Sequence, residues 1–198
     1  METSSPVKSA QPPRRPKSSV RRLKTQVINF GSLWAKKDIF EAQLADSEVD
    51  VVLACETHLA HGITNSQVLP PNFDAIRRDR NTRGGGGVAI IHKNDLKVTK
   101  EYESKKTEMI AAKVECQGRR PVIIAAAYRP PDSSLQYMKD LCDDIKHLEA
   151  KHPNHAIWIG GDFNLPDIDW DQAEVVSSQY LQDISRSLLD TLSNTNMQ

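Results

Sequence analysis

The sequence predicts an α/β fold, on three observations. Short apolar runs rich in Val, Ile and Ala recur at Val49 to Cys55, Val122 to Ala127 and Ala156 to Ile159. They are too short for helices and read as buried strands. Between them lie segments whose apolar residues repeat every three or four positions, as in amphipathic helices. Each of these runs also meets a polar residue at or just past its end: Glu56, Tyr128 and Asp162. Side chains at the ends of neighbouring strands can converge on one cleft.

The elements follow in order. Gln26 to Phe30 leans apolar and carries Asn29 near its end. Ile39, Phe40 and Leu44 suggest a helix from about Ala35 to Ala45, and Val49 to Cys55 is the next strand. Strand, helix, strand makes the first two strands neighbours under that helix. Residues 57 to 71 read as a loop broken by Gly62, Asn65, Pro70 and Pro71. Strands follow at Phe73 to Ile76 and Val88 to His92, with Arg77 to Arg83 and the glycines Gly84 to Gly87 between them. That glycine run lacks the lysine of a phosphate-binding P-loop and reads as a tight approach into a strand. Glu108 to Glu115 and Pro121 to Tyr128 are successive strands around a turn at Gln117-Gly118. Leu135, Met138, Leu141, Ile145 and Leu148 place an amphipathic helix over Ser134 to Lys151. Ala156 to Gly160 is a strand ended by a glycine pair, and Leu181, Ile184, Leu188 and Leu192 mark a last helix over about Ser178 to Leu192.

Length and charge bound the function. A chain of 198 residues suffices for one well-buried domain. Net charge is zero, but residues 1–24 hold seven basic side chains against Glu2 alone, a net of +6 that leaves −6 on the rest. The leader is rich in Ser, Pro, Lys and Arg and is expected to be disordered; it is either a tether for polyanions or a solvated tail with no specific partner. Residues 25–198 are expected to form the domain. The cysteines Cys55, Cys116 and Cys142 show no metal or redox spacing. Cys55 and Cys142 lie in apolar patterns, as buried free thiols do, which fits a reducing, intracellular setting. No apolar run reaches the length of about 18 residues that a membrane helix needs, and no secretory signal is present.

The polar residues carry the chemistry. Asp162 offers hard anionic oxygens suited to Mg2+. Asn164, two positions on, can donate and accept at once and could hold a phosphate oxygen, or both residues could merely bond a turn. His58 and His61 read as surface histidines, and His147, His152 and His155 surround a helix end.

Asn29-Phe30-Gly31-Ser32-Leu33, Glu56-Thr57-His58-Leu59, Arg78-Asp79-Arg80 with Gly84 to Val88, Tyr128-Arg129-Pro130-Pro131 and Gly161-Asp162-Phe163-Asn164-Leu165-Pro166 through Asp169-Trp170 occur in that order. Together they resemble the endonuclease/exonuclease/phosphatase superfamily, in wording closest to the endonuclease domain of non-LTR retrotransposons. The resemblance covers about residues 25 to 198. It implies a four-layer α/β sandwich, as in deoxyribonuclease I, and Mg2+-dependent (or Mn2+-dependent) cleavage of DNA. It assigns the metal to Glu56 with Asn29 beside it, the water to Asp162, and phosphate contacts to Asn164 and the Tyr128 hydroxyl. Arg78, Arg80 and Arg129 become candidates for facing DNA, with a solvated loop the alternative for the first two. No membrane and no small-molecule cofactor are expected, and the resemblance and the basic leader point to the nucleus. Oligomeric state is not legible.

The resemblance breaks at one place. The superfamily's catalytic histidine sits in a Ser-Asp-His motif near the domain's C-terminus, and these 198 residues contain none. The expectation is a fold cut off before its C-terminal strands, with an open sheet edge and impaired catalysis. The alternatives are a non-catalytic nucleic-acid binder and a phosphatase of the same fold.

Overall fold

A computed structural model describes residues 22–80, 85–116, 118–176 and 181–195. The expected leader therefore lies almost wholly outside the described residues. Its last member, Lys24, already belongs to the body, where its amide donates to Asp50 Oδ2 over 3.0 Å.

The first sheet has the order β1-β2-β4-β3, built from β1 (Thr25–Asn29), β2 (Val51–Cys55), β3 (Phe73–Arg78) and β4 (Val88–Lys93). The second has the order β5-β6-β7-β8, built from β5 (Lys97–Glu103), β6 (Glu108–Glu115), β7 (Val122–Tyr128) and β8 (Ala156–Asp162). A small ribbon pairs β9 (Ile168–Asp169) with β10 (Glu174–Val175). Helix α1 (Leu33–Ala45) links the parallel pair β1 and β2, and α2 (Leu135–Lys151) links the parallel pair β7 and β8. Helix α3 (Gln182–Asn194) follows the ribbon.

Three apolar clusters define four layers. Phe30, Leu33, Phe40 and Leu44 pack against Val52, Ala54, Ala89 and Ile91, so α1 covers one face of the first sheet. Leu53, Cys55, Val88 and Ile90 meet Ile110, Ala112, Ile124 and Ala126 between the sheets. Met138, Leu141, Ile145, Leu148 and Leu188 cover the far face of the second sheet. This is the α/β sandwich expected. Strands β2 and β7 bury almost every residue, as their unbroken apolar runs require. Cys55 and Cys142 are buried free thiols, as read from the sequence.

Two differences have physical causes. Strand β5 escapes the sequence reading because Lys97, Lys100, Glu101 and Glu103 break its apolar pattern, as suits an end strand. The glycine pair does not end β8. The strand runs on through Gly160 and Gly161 to Asp162, in register with Ala126, Ala127 and Tyr128. A Cβ on Gly161 would lie 1.7 Å from the Ala127 carbonyl oxygen, and one on Gly160 would lie 2.8 Å from Leu53 and Val27 side chains of the other sheet. Gly160 lets the two sheets close together beneath the site, and Gly161 lets β8 lie against β7. Part of the expected turn at Gln117-Gly118 and of the expected start of α3 lies outside the described residues.

Candidate active site

Both parallel pairs point their C-terminal ends at one place. Asn29 ends β1 and Glu56 follows β2; Tyr128 and Asp162 end β7 and β8 in direct register. Open α/β sheets gather ligand-binding groups at these strand ends.

Asn29 joins the two sheets. Its Nδ2 donates to Glu56 Oε1 and to Asp162 Oδ2, each over 2.8 Å. Its Oδ1 accepts from the Gly31 amide over 3.1 Å, which fixes which way the carboxamide faces. The side chain thus bridges two carboxylates through its nitrogen. The expected role of Asn29 in holding a metal would fall to Oδ1, which keeps a second lone pair beside the Gly31 amide.

Glu56 is held by its neighbours. The Asn29 amide, then the Tyr128 hydroxyl and His58, keep its carboxyl below the usual range against a smaller opposing effect of burial. Burial, then the charge of Glu56, pushes the Tyr128 hydroxyl up to about 12, so it is a neutral donor at ordinary pH. His58 Nε2 stands 3.4 Å from Glu56 Oε2. The sequence reading put His58 on the surface; the structure puts it at the site. The available signal was its spacing of two from the glutamate.

The loop after β2 is unusual in its backbone. Glu56 and His58 have φ of 49° and 51°, in the left-handed region that disfavours side chains. The amides of Thr57 and His58 donate to the carbonyls of Gly87 (3.2 Å) and Gly86 (2.9 Å), which hold the loop in that shape. Non-glycine residues held so cost about 1 kcal/mol or more each, and they cluster at functional sites.

Asp162 Oδ1 accepts the Asn164 amide over 3.0 Å. Asn164 is itself left-handed, φ 49°, and its Nδ2 donates to the Arg129 carbonyl over 2.8 Å. Its backbone amide therefore shapes the Asp162 turn and its carboxamide N–H ties that turn to the loop after β7, where the sequence reading expected a phosphate contact. Arg129 is a second correction. It is wholly buried, and its guanidinium donates to the carbonyls of Ser133 (3.0 Å) and Asn164 (3.2 Å). It ties the loop after β7 to the loop after β8 and cannot face DNA.

The other arginines differ among themselves. Arg77 is bound to Asp79 and the Ile63 carbonyl. Arg78, half-buried, donates to Ser104 O over 3.0 Å. Arg80 lies beside the site, its guanidinium carbon 5.9 Å from the centre of the Tyr128 ring. Arg83 and Gly84 lie outside the described residues. Next to Asp162 a groove of about 650 Å³ runs along Val27, Ile159, Phe163, Leu165 and Trp170.

Among the described residues, no three or more His, Cys, Asp and Glu side chains are gathered as a metal cage. A partly exposed, firmly ionised Glu56 with a second hard carboxylate nearby nonetheless fits Mg2+, which takes one or two carboxylates and completes its shell with water and substrate oxygens. No helix among the described residues is long and apolar enough to cross a membrane.

Comparisons with known proteins agree with this fold. The endonuclease domain of TRAS1, a telomere-specific non-LTR retrotransposon, superposes with a TM-score of 0.62 at 15% identity, over 88% of this chain and 71% of that one. A 3′ phosphatase from Neisseria bound to product DNA hairpin gives 0.59 at 17% identity, over 86% and 71%. An AP endonuclease from Archaeoglobus fulgidus gives 0.58 at 18%, over 87% and 71%. At these identities the likeness is one of fold. No curated protein matches in sequence. The model of the Endonuclease/Exonuclease/phosphatase family matches residues 28–190. That span holds Asn29, Glu56, Tyr128, Asp162 and Asn164 and all of both sheets but the first three residues of β1, and the chain belongs to the Endonuclease/Exonuclease/phosphatase family.

Proposed function

We propose that this chain is a metal-dependent phosphodiester hydrolase that nicks DNA, of the kind carried by non-LTR retrotransposons. The observation that carries the reading is the Asn29 amide bridging Glu56 and Asp162 beside the Tyr128 hydroxyl. Two carboxylates, a neutral phenol and a nearby guanidinium are what an in-line attack on a phosphate requires: an anion to orient water, a donor for the phosphate, and positive charge for its oxygens.

Glu56 would hold Mg2+ (or Mn2+), which when bound supplies Lewis-acid polarisation of the phosphate. Asp162 accepts a proton from the attacking water or orients it, its other contacts fixing the direction of its lone pairs. Tyr128 donates to a phosphate oxygen. Asn29 and Asn164 position the carboxylates. Acid–base help is commonly worth about 10²–10⁴ in rate, and Asp162 would supply part of it. Action on DNA implies work inside the cell, in the nucleus.

The TRAS1 domain and the archaeal AP endonuclease support a nuclease. The Neisseria 3′ phosphatase favours a second reading at the same site, removal of a terminal phosphate. The test is nicking of supercoiled plasmid with Mg2+ or Mn2+, alongside a 3′-phosphorylated oligonucleotide. Nicking lost in both Glu56→Ala and Asp162→Ala supports the proposal. Phosphate release without nicking moves it to the second reading. Neither activity, from a chain that circular dichroism shows to be folded, leaves nucleic-acid binding without catalysis.

A further inference from the structure

One residue with a buried carboxylate ties three parts of the site together. Glu108 opens β6 with a side chain 8% exposed. Its Oε1 accepts from Arg80 Nε over 2.6 Å and is also ion-paired with Nη2 of the same guanidinium. Its Oε2 accepts the Gly87 amide over 2.5 Å. Its own amide donates to the Tyr137 hydroxyl over 2.7 Å, and that hydroxyl donates to the Tyr128 carbonyl over 3.0 Å. Gly87 and Gly86 in turn hold the amides beside Glu56. The carboxylate therefore reaches the guanidinium and the loop that carries Glu56, and the same residue's backbone amide reaches the strand end that carries Tyr128.

The pair is lopsided. The anion is buried, whereas the Arg80 side chain is 25% exposed and faces the Tyr128 ring. Gly86 leaves the room: a Cβ there would lie 2.3 Å from the guanidinium carbon, at a φ of 74°. The positive end of this buried dipole points outward at the phenol, where a cation is needed. A guanidinium held by two of its N–H groups is also already oriented, so little freedom is lost when it meets a phosphate.

We infer that Glu108 is a positioning residue, which seats the Arg80 guanidinium beside Tyr128 as a contact for one backbone phosphate of the nucleic acid. This rests on the proposal that DNA is the substrate.

The test is binding of the full chain to a fluorescein-labelled DNA duplex, without metal, across a range of salt. Each phosphate contact adds roughly 0.9 to the slope of log affinity against log salt. Arg80→Gln is expected to weaken binding several-fold and to lower that slope by about 1. Arg80→Lys keeps the slope and loses part of the affinity. Glu108→Gln changes affinity a few-fold in the wild-type background and not in the Arg80→Gln background, because both act through one contact. The double variant leaves no orphaned charge, so it reports even if Arg80→Gln alone misfolds. Equal slopes for wild type and the Arg80→Gln chains overturn the inference, as do additive effects or a wild type that binds no duplex. The nuclease proposal is judged separately, by nicking and its Glu56→Ala control.

Discussion

Asn29 and Asp162 lie 133 positions apart and meet over 2.8 Å, the carboxamide nitrogen of one donating to the carboxylate of the other. The same nitrogen serves Glu56. Two like charges are thus brought close with one shared donor between them, which lowers the cost of holding both ionised.

Removing that donor is expected to cost activity more than fold. Asn29 is exposed at the end of β1, so Asn29→Ala leaves the core intact. Nicking should fall about 10–100-fold, the usual effect of losing a residue that orients a metal-binding carboxylate. Asn29→Asp should be worse, since a third negative charge replaces the donor. Rates and Mg2+ dependence equal to wild type in Asn29→Ala would remove Asn29 from the site.

Arg129 is expected to behave in the opposite way. Its buried guanidinium satisfies carbonyls in two loops, and an ammonium cannot match that fork. Arg129→Lys should lower stability by about 3 kcal/mol, the scale of one or two charged hydrogen bonds in the interior. Duplex affinity of the folded protein should not change. Urea unfolding and binding measured together decide the matter: lost affinity at unchanged stability would restore a DNA contact.

Gly161→Ala should be among the most damaging small changes in the chain. The added methyl meets the Ala127 backbone at 1.7 Å, and backbone in mid-sheet has nowhere to go. Overpacking typically costs about 1–3 kcal/mol, and this clash belongs at or beyond the upper end. A thermal melt within a few degrees of wild type would show that β8 shifts more freely than its pairing suggests.

Acid should weaken the second sheet through His152. Its backbone amide caps α2, and its buried side chain faces Glu101, Lys113, Lys151 and His155. Burial, outweighing the opposing pull of Glu101, holds it below the ordinary 6.5. The unfolded chain therefore binds a proton as pH falls below about 6.5, while the folded one does so only lower down. Its contribution is fully present above 6.5 and is lost as pH drops through the folded value. Unfolding free energy should rise with pH over that interval in wild type and flatten in His152→Gln. Equal profiles would place the acid sensitivity elsewhere.

The ends of the strands were legible because an apolar run that stops at an acid, amide or phenol marks where backbone leaves the core. Glu56, Tyr128 and Asp162 announce themselves in this way. What each side chain does there was harder to read. Sequence cannot say which atom of Asn29 faces the carboxylates, because the choice depends on the Gly31 amide. Arg129 follows a strand end and reads as exposed, yet it is buried between the nearby Ser133 carbonyl and that of Asn164, 35 positions away. His58 joins the site only because Gly86 fixes its backbone in a shape its own residue type disfavours. Glu108 gave no local signal at all, since its partner Arg80 lies 28 positions away.

The site is divided between the sheets, with Asn29 and Glu56 on one and Tyr128 and Asp162 on the other. The carboxylate that would hold the metal, Glu56, and the one that would direct the water, Asp162, therefore belong to different halves. During folding, each βαβ unit can form by itself from near neighbours in the chain, but hydrolytic competence waits for the late, long-range docking of one unit on the other. On the proposed function, a nascent or misassembled molecule would be chemically silent, because its metal-holding and water-directing carboxylates would not yet face each other.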